Sequence, residues 1–151
     1  KAKRVGCSGF IIPDIPPEEE KAEKFIHYCN KYEVHHIRVL SPASTKARIK
    51  KNAKIANGFI YCISRFGTTG ARSALDPRLQ SYLKKVKKYI KLPLAVGFGI
   101  SKRKHIKALK GYAEIAVVGS AIINLIEKRS QQDYLQYISE FINRLRIKNL
   151  P

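Results

Sequence analysis

Methionine is absent from the 151 residues, and the first residue is Lys1. Translation begins at methionine, so the sequence is expected to be processed or to be a piece of something longer. Val5 to Pro13 already reads as a core strand, which favours a piece cut inside a fold. Long apolar runs are absent too. None approaches the ~20 residues that cross a bilayer, and no signal-peptide pattern opens the chain, so no membrane association is expected. Cysteine is scarce: Cys7, Cys29 and Cys62 are odd in number, far apart and at no zinc spacing. Reduced, buried thiols in a cytoplasmic protein are expected. The adjacent His35 and His36 open a strand and must point to opposite faces, so no metal site is expected there.

Acidic residues are the scarcest group relative to their opposite. Eleven Asp and Glu stand against thirty Lys and Arg, a formal charge of +19, and none lies between Asp76 and Glu114. That field attracts polyanions through non-specific electrostatics. Specific nucleic-acid recognition is not expected: Lys84, Lys88 and Lys107 belong to amphipathic helices, and no stacking aromatics or zinc-finger or RNP-like motif accompanies them.

What is present alternates. Gly9–Ile12 is an apolar run of the kind buried on both faces, ended by Pro13-Asp-Ile-Pro16-Pro17. Pro17 before three glutamates suits a first helical turn, and a helix is expected to about Tyr32. His36–Leu40 reads as a strand, then Ser44 or Thr45 caps a helix to about Ala56 with Ala47, Ile49, Ala53 and Ala56 inward. Phe59–Ile63 is the third strand, and Asp76-Pro77 starts a third helix carrying Leu79, Leu83, Val86 and Ile90. Leu92–Gly97 is followed by a helix that Ser101 is expected to cap. Glu114–Val118 leads into a short helix, Ala121–Glu127, and an amphipathic one from about Gln132 to Leu145. Strand–helix alternation of this kind implies an α/β fold with a parallel sheet.

The polar residues collect where strands end. After the third strand, Ser64 to Arg72 holds Gly67 and Gly70, which free the backbone to turn, Thr68 and Thr69 with hydroxyls, and Arg65 and Arg72 with charge. A solvated strand–helix connection has the same composition; later strands ending similarly separate the two. Gly99 and Ser101 follow the fourth strand, and Gly119-Ser120 opens the short helix after the fifth. Its N-terminal amides are suited to an anion. A dinucleotide-binding reading is weakened because Gly97-x-Gly99 lacks the third glycine at Lys102. Five strand–helix units with anion-binding features after the last two fit the C-terminal part, about strands 4–8, of a (β/α)8 TIM barrel. Residues 1–151 are then one incomplete barrel domain.

From Gly9 to about Leu145 the sequence resembles the alpha chain of tryptophan synthase. The resemblance rests on Pro13-Asp14-Ile15-Pro16, Tyr61-x-x-Ser64-Arg65-x-Gly67-x-Thr69-Gly70-Ala71, Val96-Gly-Phe-Gly-Ile-Ser101 and Val118-Gly-Ser-Ala-Ile122, in that order. It implies a lyase that splits indole-3-glycerol phosphate, a small phosphorylated substrate, into indole and glyceraldehyde 3-phosphate. It places the phosphate on Gly70, Gly99, Gly119 and Ser120, and the indole against Ile11, Val39, Tyr61 and Phe98. Arg65, Gly67 and Thr69 would belong to the lid loop, and Asp14, Pro16 and Pro17 would lie near the partner. That partner is the tryptophan synthase beta chain of an alpha2-beta2 heterotetramer. The alpha chain itself would need no cofactor, since pyridoxal phosphate (PLP) belongs to the beta chain.

One departure bears on chemistry. Retro-aldol cleavage needs a proton given to the indole ring carbon and one taken from the glycerol hydroxyl. The resemblance places the family's glutamate and aspartate ahead of Lys1, and no acidic residue here takes their place. Two alternatives therefore stand beside the lyase: a binding partner that activates the beta chain, and another phosphate-binding barrel of the same pathway, against which the Ser64–Ala71 loop argues.

Overall fold

The computed structural model describes residues 1–64, 76–97, 99–128 and 134–147, and at Glu20 and Lys21 the backbone only. Five parallel strands, β1 (Gly9–Ile11), β2 (His35–Leu40), β3 (Ile60–Ile63), β4 (Leu94–Gly97) and β5 (Ile115–Ala116), stand side by side in sequence order. Between and after them run α1 (Glu20–Glu23), α2 (Phe25–Lys31), α3 (Lys46–Ile55), α4 (Arg78–Lys87), α5 (Arg103–Leu109), α6 (Ser120–Glu127) and α7 (Tyr134–Leu145). A doubly wound sheet reverses its strand order at a switch point. Here each strand pairs only with the strands before and after it, as in the wall of a barrel.

The two faces of the sheet differ. Leu40, Ile60, Cys62, Leu94 and Val96 point outward and join Ile49 of α3 and Leu79, Leu83 and Val86 of α4 in one buried cluster. Each such aliphatic side chain contributes about 1.5–3 kcal/mol by leaving water, so this cluster is the main source of stability. On the opposite face register aligns Val39 with Tyr61, Tyr61 with Ala95 and Ala95 with Ile115. That row would line a barrel interior.

Several local expectations need correction. The helix expected from Pro17 to Tyr32 is two pieces, because Lys24 takes a left-handed φ of 50° between α1 and α2. β1 is an edge strand rather than one buried on both faces: Ile11 is 47% exposed. β4 and β5 are shorter than their apolar runs, starting at Leu94 and spanning only Ile115–Ala116. On α3 Ile49 and Asn52 are buried and Ala53 packs against the same cluster as expected, while Ala47 is exposed. Asn52 is buried because its Oδ1 accepts from Nε of Arg38 at 3.1 Å, and its Nδ2 donates to the Arg48 carbonyl at 2.8 Å. Buried polar groups survive in a core when hydrogen-bonded.

Other local readings hold. Thr45 Oγ1 caps α3 by accepting from the Arg48 amide at 3.2 Å, and Asp76 Oδ1 accepts from the Arg78 amide at 2.9 Å where α4 begins. His36 is buried and His35 exposed, as alternation requires. Cys29 and Cys62 are buried thiols in no disulfide, and Cys7 is half-buried. Burial pushes the Cys62 thiol up to about 12, so it stays protonated and inert. Among the described residues no helix is long and apolar enough to cross a membrane.

Candidate functional site at the carboxyl edge of the sheet

Parallel strands bring their C-terminal ends to one edge, where ligands of such sheets bind. At the end of β4, Gly97 lies under the ring of Tyr61. A Cβ added there would overlap the phenol oxygen and ring, so this position needs glycine for the room it leaves. Tyr61 is half-buried, and burial pushes its phenol above the ordinary value, so it remains a neutral hydroxyl. Val39 shares its row, and Ile11, paired with Ile37, is on the same face one step nearer the strand starts. Three of the four residues expected against an indole thus line one surface. The fourth, Phe98, lies outside the described residues, as do Gly70 and the lid residues Arg65, Gly67 and Thr69.

Two glycines follow the next strand ends. Gly99 takes φ +82°, a conformation costly for other residues. Gly119 has an ordinary φ of −119° and precedes α6. At both, the space a Cβ would fill is empty of described atoms to 4 Å. Packing therefore does not demand glycine at 119, and the open side is where a ligand could approach the backbone. Ile122 and Ile123 amides turn back to the Gly119 carbonyl at 2.8 and 3.3 Å. The Ser120 and Ala121 amides precede that first bond and lie at the positive end of the helix, beside the exposed Ser120 hydroxyl.

Supporting contacts hold these turns in place. Ser64 donates Oγ–H and its amide to the Gly97 carbonyl, at 2.7 and 3.1 Å, tying the end of β3 to the end of β4. The turn after Gly99 is fixed differently from expectation. Ser101 does not cap α5, whose N-cap is Lys102 without a side-chain cap bond. Instead Nδ1 of the buried His105 accepts from the Ser101 amide at 3.2 Å. Sequence reasoning missed His105; a histidine four residues past a Gly-Ile-Ser turn was the available signal. It also missed Arg38, whose Nη2 donates to the Ile15 carbonyl at 2.8 Å. That bond anchors the turn carrying Asp14, Pro16 and Pro17, of which Asp14 is exposed and the prolines half-buried. No group of three or more metal-ligating side chains occurs among the described residues.

The open glycine positions and bare amides at this edge suit an anion, and known proteins narrow the reading. A family model described as tryptophan synthase alpha chain matches residues 1–149. The chain belongs to the tryptophan synthase alpha chain family. A Methanocaldococcus jannaschii tryptophan synthase alpha chain is 41% identical over 133 residues, covering 88% of this chain and 47% of the relative. One from Desulfotalea psychrophila is 43% identical over 127 residues, covering 84% and 49%. Among solved structures, a chain of the tryptophan synthase a2b2 complex of Pyrococcus furiosus superposes with a TM-score of 0.85 at 28% identity. A mutant alpha-subunit from the same organism gives 0.82 at 27%. Each match covers 95% of this chain and 57% of the other. The fold is thus a portion of the alpha-subunit TIM barrel, and the chain spans about half the length of the curated relatives it matches.

Proposed function

We propose that this chain supplies the phosphate-holding edge and part of the indole wall of a tryptophan synthase alpha barrel. The complete barrel would cleave indole-3-glycerol phosphate to indole and glyceraldehyde 3-phosphate. Gly99, Gly119 and Ser120 take the phosphate, with Gly70 from the preceding loop, and Val39, Tyr61 and Ile11 face the ring with Phe98. Arg65, Gly67 and Thr69 close over them. The observation that carries this reading is the pair of open glycine positions, 99 and 119, after adjacent strands, the second opening α6. An oxyanion accepts from bare amides there and is favoured by the helix end.

The two proton transfers need a carboxylate pair, and none stands at the strand ends among the described residues. Asp14 is exposed in the turn after β1, and Asp76 is engaged by Arg78. Residues 1–151 therefore form one incomplete domain, and the acid–base pair comes from the rest of the barrel. Indole leaves towards a beta chain that holds PLP, while the alpha barrel itself needs no cofactor. The turn at Asp14, Pro16 and Pro17, held by Arg38, faces that partner, and the assembly is cytoplasmic. The test is calorimetric binding of indole-3-glycerol phosphate to the chain and to Gly119→Val. Binding to the first and loss in the second is expected, with the melting temperature unchanged. Equal binding by both would remove Gly119 from the phosphate site.

A further inference from the structure

Nearly all of the excess positive charge is in one part of the chain. Between Glu33 and Glu114 stand nineteen lysines and arginines and a single acidic residue, Asp76. Outside that interval eleven cations face ten acids, so the remainder is nearly balanced. The fold gathers this charge further, because α3, α4 and α5 all fall within the interval. Lys85 Nζ of α4 donates to the Ser44 carbonyl before α3 at 3.0 Å, and Gln80 Nε2 of α4 donates to the Ala108 carbonyl of α5 at 3.2 Å. The three helices thus stand side by side with α4 in the middle. Their apolar residues join the buried cluster, while Lys46, Lys50, Lys84, Lys88, Lys107 and Lys110 are exposed. Lys46 and Lys50 both place Nζ over the Tyr89 ring, 5.8 and 5.5 Å from its centre, and Lys84 is 5.4 Å from that of Tyr112. Two ammonium groups over one ring repel each other. Among the described residues the ion pairs of this region, Lys51–Glu18, Arg78–Asp76 and Lys87–Glu114, include neither of them.

We propose that the outer side of α3, α4 and α5 binds a nucleic-acid duplex through its phosphates, without reading base sequence. Three properties select that partner. Among the described residues, no large apolar side chain is exposed between Glu33 and Glu114. Protein interfaces centre on aromatic anchors and are poor in lysine, and a membrane surface holds a basic helix through inserted apolar residues, so this face serves neither. Single strands are held by stacking bases on aromatic rings, whereas Tyr89 and Tyr112 are half-buried beneath lysines. A duplex asks only for positive charges matched to its phosphates. Packed helices stand about 10 Å apart, so three present a face about 20 Å wide, broad enough to meet phosphates of both strands. A phosphate between Lys46 and Lys50 also relieves their mutual repulsion. This face is the outer side of the helical layer, away from the strand ends that carry Gly99 and Gly119, so it stands whether or not the barrel is a lyase.

The probes are DNA and RNA duplexes of about two helical turns, titrated with this chain by fluorescence anisotropy from about 50 to 200 mM salt. Binding indifferent to base sequence, and falling steeply across that range, is expected. A preference for either duplex supports the proposal and tells which of the two supplies the phosphates. Lys88→Gln with Lys107→Gln should weaken binding about tenfold or more at low salt, and flatten the slope of log affinity against log salt by about two. Lys31→Gln with Lys128→Gln removes the same charge from exposed positions outside the interval. That pair should stay within about twofold, since charges beyond ~10 Å are screened at 0.1 M salt. Equal losses from the two pairs would reduce the effect to the net charge of the whole chain and overturn the proposal. So would no binding at about 50 mM salt, dependence on base sequence, or tighter retention on phosphatidylserine vesicles than on either duplex.

Discussion

The middle of the chain and its two flanks use the same strand–helix unit with opposite results. From Leu40 to Leu109, three helices lie on three strands and Leu83, Val86, Ile60 and Leu94 are buried completely. Outside that interval the units are incomplete: β1 has three residues and β5 two, and Ile11, Ile123 and Leu135 stay in water. The middle is also where charge is most one-sided: Lys51 and Lys87 reach Glu18 and Glu114 outside it, and other lysines stack on tyrosines. Lys46 and Lys50 sit over Tyr89, and Lys84 over Tyr112. A unit is stable when it has neighbours on both sides, and a barrel wall supplies those only when continued.

The comparison can be broken most directly in the core. Leu83→Ala should cost about 2–5 kcal/mol by leaving a cavity, whereas Ile123→Ala at the flank should stay within about 0.5 kcal/mol. Urea midpoints on the isolated chain measure both, and equal losses would mean the flanks are as well packed as the middle. Gly97→Ala should come next, at about 1–3 kcal/mol, the usual range for overpacking. Adding Tyr61→Leu removes the ring that the new methyl meets, so the double variant should be more stable than the sum of its parts implies. Strict additivity would place Tyr61 elsewhere.

Smaller effects sharpen the account at the turns. His105→Leu strips the Ser101 amide of its acceptor, costing about 1–3 kcal/mol, and His105→Gln should recover part because its amide oxygen can accept. No difference between the two would make His105 mere packing. The smallest effect is electrostatic. Burial opposes the charge of Glu114, but the Leu94 amide, at 2.8 Å, and Lys87 together hold its carboxyl below the ordinary 4.5. A depressed folded value contributes stability above the unfolded value and loses it as pH falls through the folded one. Wild type should therefore exceed Glu114→Gln in urea midpoint at neutral pH. The gap should narrow as pH drops below about 4.5, and it is small because the pair is half-exposed. A gap independent of pH would show that the charge plays no part.

Much of this was legible from residue order. Strand–helix alternation and glycines after the late strands pointed to a barrel's later units, and the motifs from Pro13 to Ile122 pointed to the family. Ser120 at the start of α6 was visible in the same way. What was hidden depended on contacts far apart in sequence. Arg38 within an apolar strand and Asn52 within a helix look like surface residues until the fold sets them 3.1 Å apart. Ser101 looks like a helix cap because serine is good at it, and only the fold shows His105 taking that amide. The break at Lys24 follows no proline or glycine, so no local signal announced it.

The most direct test of the central claim is indole release from indole-3-glycerol phosphate by this chain combined with the uncovered portion of the Methanocaldococcus jannaschii relative. The account predicts turnover by the pair, none by either part alone, and a large loss when Gly119→Val is introduced here. A well-formed pair that binds no substrate and releases no indole, or turnover indifferent to Gly119, would contradict it.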